Sequence, residues 1–282
     1  MNGVIASSGV TASSGVTASS GVTASSGVIA SVHNLRFAYP GQEPVLRRVN
    51  FHVLPGQILV ICGLSGQGKS TLLRLLIGLE KPDAGVIRLL GKDIATLNVK
   101  EFNDLKKTVG FVFQNPALLS TKTIFENVAL PLIYHNIGDE DEIRYRVDNA
   151  LEMLLIKEFQ HQYPASLSLG ILKRAAVARA MIMRPKLILM DEPTAGLDRI
   201  SRSVLLALIA NIRRINHVSM VLVTHDLLAA RELGGEIGVL KEGELLEPMN
   251  FEQLKNCQDS FVEYLFRQLE EEAAMTGAAG PA

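Results

Sequence analysis

The chain has no excess of basic charge: 28 Lys and Arg stand against 29 Asp and Glu, a formal net charge of -1 in 282 residues. That balance lacks the electrostatic footprint of a protein whose affinity comes from neutralising many phosphates, so nucleic acid is not an expected partner. Cysteine is scarce as well. Cys62 and Cys257 alone give neither metal-ligand spacing nor a disulfide framework, which fits a reducing, cytosolic compartment. Also missing is any apolar run close to the roughly 18 to 20 residues that cross a bilayer, although the mean hydropathy is +0.22. Membrane contact is therefore expected to go through a partner. The N-terminus has no basic start, and Ser and Gly interrupt its apolar residues, so no cleaved secretory signal is expected. What the chain does have is 48% hydrophobic residues, enough to bury the core of one large domain with a subdomain.

Texture divides the chain. From Ala6 to Gly27 the unit Ala-Ser-Ser-Gly-Val-Thr recurs, with copies opening at Ala6, Ala12, Ala18 and Ala24. Its small side chains bury too little apolar area to offset ordering entropy, so residues 1–31 read as a low-complexity, disordered leader. Strand-like runs follow at Val32–Tyr39 and Phe51–Val53, separated by the turn signal Tyr39-Pro40-Gly41. Ile58–Cys62 is a continuous apolar run of strand length, followed by a glycine-rich loop and a helical stretch, Thr71–Ile77, ending at Gly78 as a C-cap. Two more buried-strand runs, Leu187–Met190 and Met220–Val223, lead into Asp191-Glu192 and Thr224-His225-Asp226. An open α/β sheet places its site just past such strand C-termini. Between Phe125 and Met183 the sequence is helical in character, with Arg144, Val147, Leu151, Leu154 and Leu155 at 3–4 spacing. The segment 249–273 forms a C-terminal helical extension in which Phe261, Leu265 and Leu269, flanked by Val262 and Phe266, make an apolar stripe. That stripe needs a surface, either on its own domain or on a second subunit. Residues 274–282 read as a disordered tail.

The chemistry starts at Gly63-Leu64-Ser65-Gly66-Gln67-Gly68-Lys69-Ser70, which satisfies G-x-x-x-x-G-K-[ST] between a buried strand and a helix. Glycines let backbone N–H groups wrap a β-phosphate, the helix N-terminus adds positive potential, Lys69 neutralises β/γ charge and Ser70 can ligate Mg²⁺. Asp191, at the end of an apolar strand, is the expected second Mg²⁺ anchor. Glu192 beside it is placed to polarise an attacking water. ATP and Mg²⁺ are thus the expected ligands.

Taken in order, these motifs resemble the nucleotide-binding subunit of ABC transporters over about Val32 to Glu247. The resemblance implies an α/β P-loop NTPase at 32–248, with a RecA-like core, an antiparallel β subdomain and a helical subdomain at about 116–183. Phe37-Ala38-Tyr39-Pro40-Gly41 is similar to the A-loop, implying that Tyr39 stacks on adenine while Gly63 to Thr71 hold the phosphates. Phe113-Gln114-Asn115-Pro116 resembles the Q-loop, so Gln114 would sense Mg²⁺ and the attacking water. Ala195-Gly196-Leu197-Asp198 resembles the D-loop, with Asp198 its acid, and in Thr224-His225-Asp226 the resemblance assigns His225 to the γ-phosphate. The signature departs from its family: after Leu167, Ser168-Leu169-Gly170-Ile171 stands where Leu-Ser-Gly-Gly-Gln is expected. Ser168 and Gly170 survive, and Leu169 puts a bulky side chain where close backbone approach, with a glycine-only φ, would be used. Such a segment binds ATP held by the opposite subunit, so the resemblance implies a homodimer docked on integral membrane permease subunits at the cytoplasmic face of the inner membrane.

Within the family, Thr123–Leu132, Lys173–Ala180 and Ser260–Phe266 most resemble the ATPases of Mla/MCE-type lipid transporters. The expected function is therefore an ATP-hydrolysing motor for lipid transport with an MCE-type lipid-binding partner. A small-solute importer, a lipoprotein-release system and a slow-turnover regulatory ATPase are the alternatives.

Overall fold

The structure, a computed structural model, describes residues 27–275. The repeat up to Ser26 and the tail beyond Met275 lie outside the described residues, as do the side chains from residue 270 onward. Ten strands form one sheet: β1 (Ala30–Phe37), β2 (Leu46–Val53), β3 (Ile58–Cys62), β4 (Ala84–Leu89), β5 (Lys92–Asp93), β6 (Val109–Val112), β7 (Leu187–Asp191), β8 (Ser219–Thr224), β9 (Glu236–Lys241) and β10 (Glu244–Leu245). Their order is β5-β4-β1-β2-β10-β9-β3-β8-β7-β6. The half from β9 to β6 is parallel and the half from β5 to β2 antiparallel, with β10 bridging them. The expected strand at Val32–Tyr39 starts two residues earlier and ends at Phe37, where Gln42 N donates to Tyr39 O at 3.0 Å and closes the turn. Phe51–Val53 is only the end of β2, whose Arg47, Arg48 and Asn50 face solvent and hid the rest of the strand from an apolar reading.

The parallel strands read as unbroken apolar runs because both faces are covered. Alternate side chains serve two cores. Ile58, Val60 and Cys62 face one and Leu59 and Ile61 the other; Ile188/Met190 and Leu187/Leu189 divide in the same way on β7. The second core is closed by the antiparallel strands and α1 (Lys69–Leu76), with α2 (Val99–Lys106) at its margin. The first is closed by α3 (Ile124–Tyr134), α4 (Glu140–Met153), α5 (Leu169–Met181), α6 (Arg199–Asn216) and α7 (Leu227–Leu233), with α8 (Phe251–Lys255) and α9 (Ser260–Met275) at its edge.

Capping sets where these helices begin. Thr123 and Glu126 form a reciprocal capping box on α3, and Asp139 and Asp226 accept from backbone amides at the starts of α4 and α7. The periodicity through Val147, Leu151 and Leu154 is the buried face of α4, but Leu155 is not part of it: it lies beyond the helix at φ 54 and is exposed. Arg144 also faces solvent. The C-terminal stripe packs on its own domain, with Val262, Leu265 and Leu269 buried in the first core. Helix α9 also runs through Met275, past the point where a disordered tail is expected to begin.

Candidate nucleotide site

The C-terminal ends of β3, β8 and β7 are neighbours, so the three loops that leave them converge. From β3 the chain turns into α1 through Gly68, whose φ of +92° is a left-handed conformation; a Cβ there would lie 2.7 Å from Val45 Cγ1. The first amides of α1 have no carbonyl to pair with inside the helix, and they open toward the loop where Ser65 and Gly66 are exposed. Leu64 packs against the first core, and Gln67 Oε1 accepts from Glu242 N at 2.9 Å, tying the loop to the turn after β9. Cys62, immediately before the loop, is buried, and that burial pushes its thiol far above its ordinary pKa.

Lys69 Nζ donates to Gly63 O at 2.8 Å and Leu64 O at 3.0 Å and lies 3.6 Å from Glu192 Oε1. Ser70 Oγ donates to Asp191 Oδ1 at 2.9 Å. A hydroxyl and a carboxylate held together in this way are the hard oxygen donors that Mg²⁺ prefers, so the residues fit that ion. Burial pushes the Asp191 carboxyl up, against the opposing hydrogen bond from Ser70. A divalent cation at this position would reverse that preference.

Glu192 is buried, at a left-handed φ of 44°. Its Oε2 meets His225 Nδ1 at 3.0 Å. Burial alone would raise its carboxyl pKa, but the His225 hydrogen bond, with the charges of His225 and Lys69, holds it below the ordinary value. The same hydrogen bond raises His225. Tyr39 packs edge-on against Phe37, and its hydroxyl lies 3.2 Å from Thr71 Oγ1, which fixes the ring beside the start of α1.

The side chains of the other expected site residues make no hydrogen bond to this cluster among the described residues. The Gln114 side chain is exposed and makes no hydrogen bond to Ser70 or Asp191 among the described residues; its carbonyl instead accepts from Lys173. Ser168 is the N-cap residue of α5, yet its hydroxyl makes no capping bond. Leu169 is the first residue of that helix with no positive φ, so the expected glycine-only backbone is not what this position uses. Its side chain is 38% exposed and rests on the loop before α6: a Cβ on Gly196, at φ +76°, would lie 3.1 Å from Leu169 Cδ2. Gly170 faces Ser201 across the same contact. Asp198 is the N-cap of α6, accepting from Ile200 N and Ser201 N. The signature segment and the Gly196–Asp198 loop thus meet each other and form no hydrogen bond to the phosphate loop among the described residues.

Two basic residues went unassigned in the sequence. Lys173 is 3% exposed and donates to Gln114 O at 3.2 Å and Glu192 O at 3.0 Å. Arg179 donates to Ala117 O at 2.8 Å and Pro116 O at 2.9 Å. The available signal was three cations, Lys173, Arg174 and Arg179, within Lys173–Ala180, a stretch otherwise made of small apolar residues.

A mixed sheet with a phosphate loop, a hydroxyl–carboxylate pair and a buried glutamate at one strand edge defines a P-loop nucleoside triphosphatase. A family model described as ABC transporter matches residues 46–195, more than half of the chain, and the chain belongs to that family of ATP-binding, ATP-hydrolysing proteins. It is 37% identical over 224 residues to the methionine import ATP-binding protein MetN of Clostridioides difficile (strain 630), covering 79% of this chain and 69% of that protein. With MetN 1 of Acinetobacter baylyi the identity is 38%, covering 76% of this chain and 60% of the relative, and with MetN of Rhizobium etli 39%, covering 73% and 57%. Among solved structures, cbiO1 from Clostridium perfringens, part of the ABC transporter complex cbiONQ, superposes with a TM-score of 0.76 at 29% identity, covering 89% of this chain and 98% of that one. The ATP-binding cassette MJ0796, a dimer in a post-hydrolysis state bound to ADP and Pi, gives 0.72 at 33%, covering 78% and 98%.

These relatives do not support the lipid-transport expectation or an MCE-type partner. The segments behind that expectation do framework work here: Thr123–Leu132 holds a capping box, Lys173–Ala180 contains the buried residues of α5, and Ser260–Phe266 sends Val262 and Leu265 into the core. None of them is bound to say anything about cargo.

Proposed function

We propose that this chain is the ATPase motor of an ABC importer for a small polar solute, with an amino acid of the methionine type as first candidate. It would work as a homodimer on the cytoplasmic face of a membrane permease. The observation that carries the motor reading is the buried Glu192 carboxylate, held between Lys69 Nζ at 3.6 Å and His225 Nδ1 at 3.0 Å. The cargo reading rests on the methionine-import relatives. The motor and dimer readings draw further support from the two solved cassettes. No helix among the described residues is long and apolar enough to cross a membrane, so a separate permease would supply the path.

In this reading Tyr39 stacks on adenine, and the amides of the loop from Gly63 to Ser70 hold the β-phosphate at the start of α1. Lys69 exchanges its carbonyl partners for β- and γ-phosphate oxygens. Ser70, Asp191 and Gln114 would hold Mg²⁺, which when bound neutralises charge on the phosphate oxygens. Glu192 accepts the proton of the attacking water, and His225 keeps that carboxylate ionised and aimed. Ser168, Leu169 and Gly170 would complete the site of the opposite subunit.

The test is reconstitution with the membrane subunit that co-purifies. Permease-stimulated ATP turnover, abolished by Glu192→Gln and coupled to uptake of labelled methionine, is the expected result. Co-purification with a lipid-binding subunit and no solute uptake would overturn the cargo reading. Turnover that stays at the basal level with the permease present would favour a regulatory clamp, the reading that Leu169 in the signature supports.

A further inference from the structure

Helix α5 is bound to its surroundings by cations that donate to backbone carbonyls. Arg174 reaches Leu155 O at 2.9 Å at the end of α4, Arg179 holds the Pro116 and Ala117 carbonyls, and Lys173 takes Gln114 O and Glu192 O. Lys173 differs from the other two. It is almost wholly buried, no carboxylate lies within ion-pair distance of it among the described residues, and both of its acceptors belong to the catalytic loops. Burial makes this ammonium costly and pulls its pKa below the ordinary lysine value, against the charges of Glu192 and Asp191, which lie nearby but out of direct contact, and the two carbonyl dipoles. A leucine or methionine could fill the space but would leave the Gln114 and Glu192 carbonyls without this donor, so the lysine serves those two loops as well as the packing.

We infer that Lys173 is a positioning residue that couples the two ATP sites of the dimer. Its helix begins at Ser168–Gly170, the segment that in the reading above meets ATP held by the opposite subunit. Five residues further on, the same rigid helix grips the backbone of Glu192 and of Gln114 in its own subunit. Any shift of α5 as the opposite site closes is therefore delivered to the loops that carry the general base and the Mg²⁺-sensing glutamine. The Leu169 side chain against Gly196 adds a second contact between the start of α5 and the loop after Glu192. Coupling of this kind needs a contiguous element that touches both sites, and a helix anchored at both of these points supplies one. The inference rests on the dimeric motor reading.

The experiment compares wild type, Lys173→Met and Lys173→Arg as full-length chains, following ATP hydrolysis against ATP concentration and ATP-dependent dimerisation of the same variants in a Glu192→Gln background. Lys173→Met keeps volume and removes the donors; Lys173→Arg keeps a cation with N–H donors enough for both carbonyls. Wild type is expected to hydrolyse cooperatively, with a Hill coefficient approaching 2, the number of sites. Lys173→Met should fall to a Hill coefficient near 1, lose roughly tenfold or more in kcat at about the same half-saturating ATP, and still dimerise with ATP; Lys173→Arg should restore cooperativity. A merely structural lysine would instead lower thermal stability and active fraction while leaving the Hill coefficient of the surviving enzyme unchanged. A wild type that neither dimerises with ATP nor hydrolyses it cooperatively overturns the dimeric reading and this inference with it. Cooperative wild type with equally cooperative Lys173→Met overturns the inference alone.

Discussion

Glu192 Oε2 and His225 Nδ1 meet at 3.0 Å, although the residues stand 33 positions apart at the ends of neighbouring strands. The contact makes one functional unit of two groups shifted in opposite directions, a carboxyl pKa lowered by the His225 hydrogen bond against the pull of burial and an imidazole pKa raised by the same bond. Replacing Glu192 by Gln keeps the shape and removes the base. Turnover should fall by roughly 10² to 10⁴, while ATP affinity measured by calorimetry changes only a few-fold. A variant that keeps more than half of the wild-type rate would remove Glu192 from the chemistry.

The same pair has a pH signature. The His225 pKa lies above its ordinary value, chiefly through the Glu192 hydrogen bond. The stability it adds is therefore complete below the unfolded value of about 6.5 and is lost as pH rises through the higher folded value. The gap in unfolding temperature between wild type and His225→Ala should be largest near pH 6 and close toward pH 9. The effect will be small, since the imidazole is more than half exposed. A gap that widens with pH would contradict the assigned direction.

Leu169 sits on Gly196 and presents the rest of its surface to solvent at the start of α5. Removing the side chain opens the approach to the helix N-terminus that the opposite ATP would use. Leu169→Gly is expected to raise permease-stimulated turnover by roughly three- to tenfold, equivalent to about 1 kcal/mol off the barrier. Unchanged turnover would mean that the signature works through Ser168 and Gly170 alone.

Ending the chain after Gln258 removes Val262, Leu265 and Leu269 from the first core. Each buried side chain of this size is worth about 1.5 to 3 kcal/mol, so calorimetry should show a fall of many degrees in Tm. Because the stripe packs within its own chain, elution in the absence of ATP should stay where the full chain elutes. An unchanged Tm with an altered oligomeric state would assign the helix to the other subunit instead.

The phosphate loop, Asp191, Glu192 and His225 were legible in the sequence because each follows an unbroken apolar strand, and β7 and β8 flag their own C-terminal ends. Strand β2 was legible only at its end, because charged residues face outward along its length. Leu169 was visible as an odd residue, but its ordinary helical φ was not: the requirement for glycine belongs to a backbone position, and α5 starts at that residue. Lys173 was hidden for a different reason. Its acceptors are main-chain carbonyls, which exist at every position and leave no mark in the sequence. The C-terminal stripe showed its period but not its partner, since an apolar face fits any complementary surface.

The two cysteines differ in reach. Cys62 is sealed at the end of β3 with a thiol that resists ionisation, and Cys257 is half-buried between α8 and α9. Thiol reagents act through the thiolate and need access, so a maleimide dye should label the native chain at Cys257 alone. The chain thus carries a single built-in attachment point, beside the helix pair at the edge of the first core, at which a fluorophore can be placed without engineered cysteines.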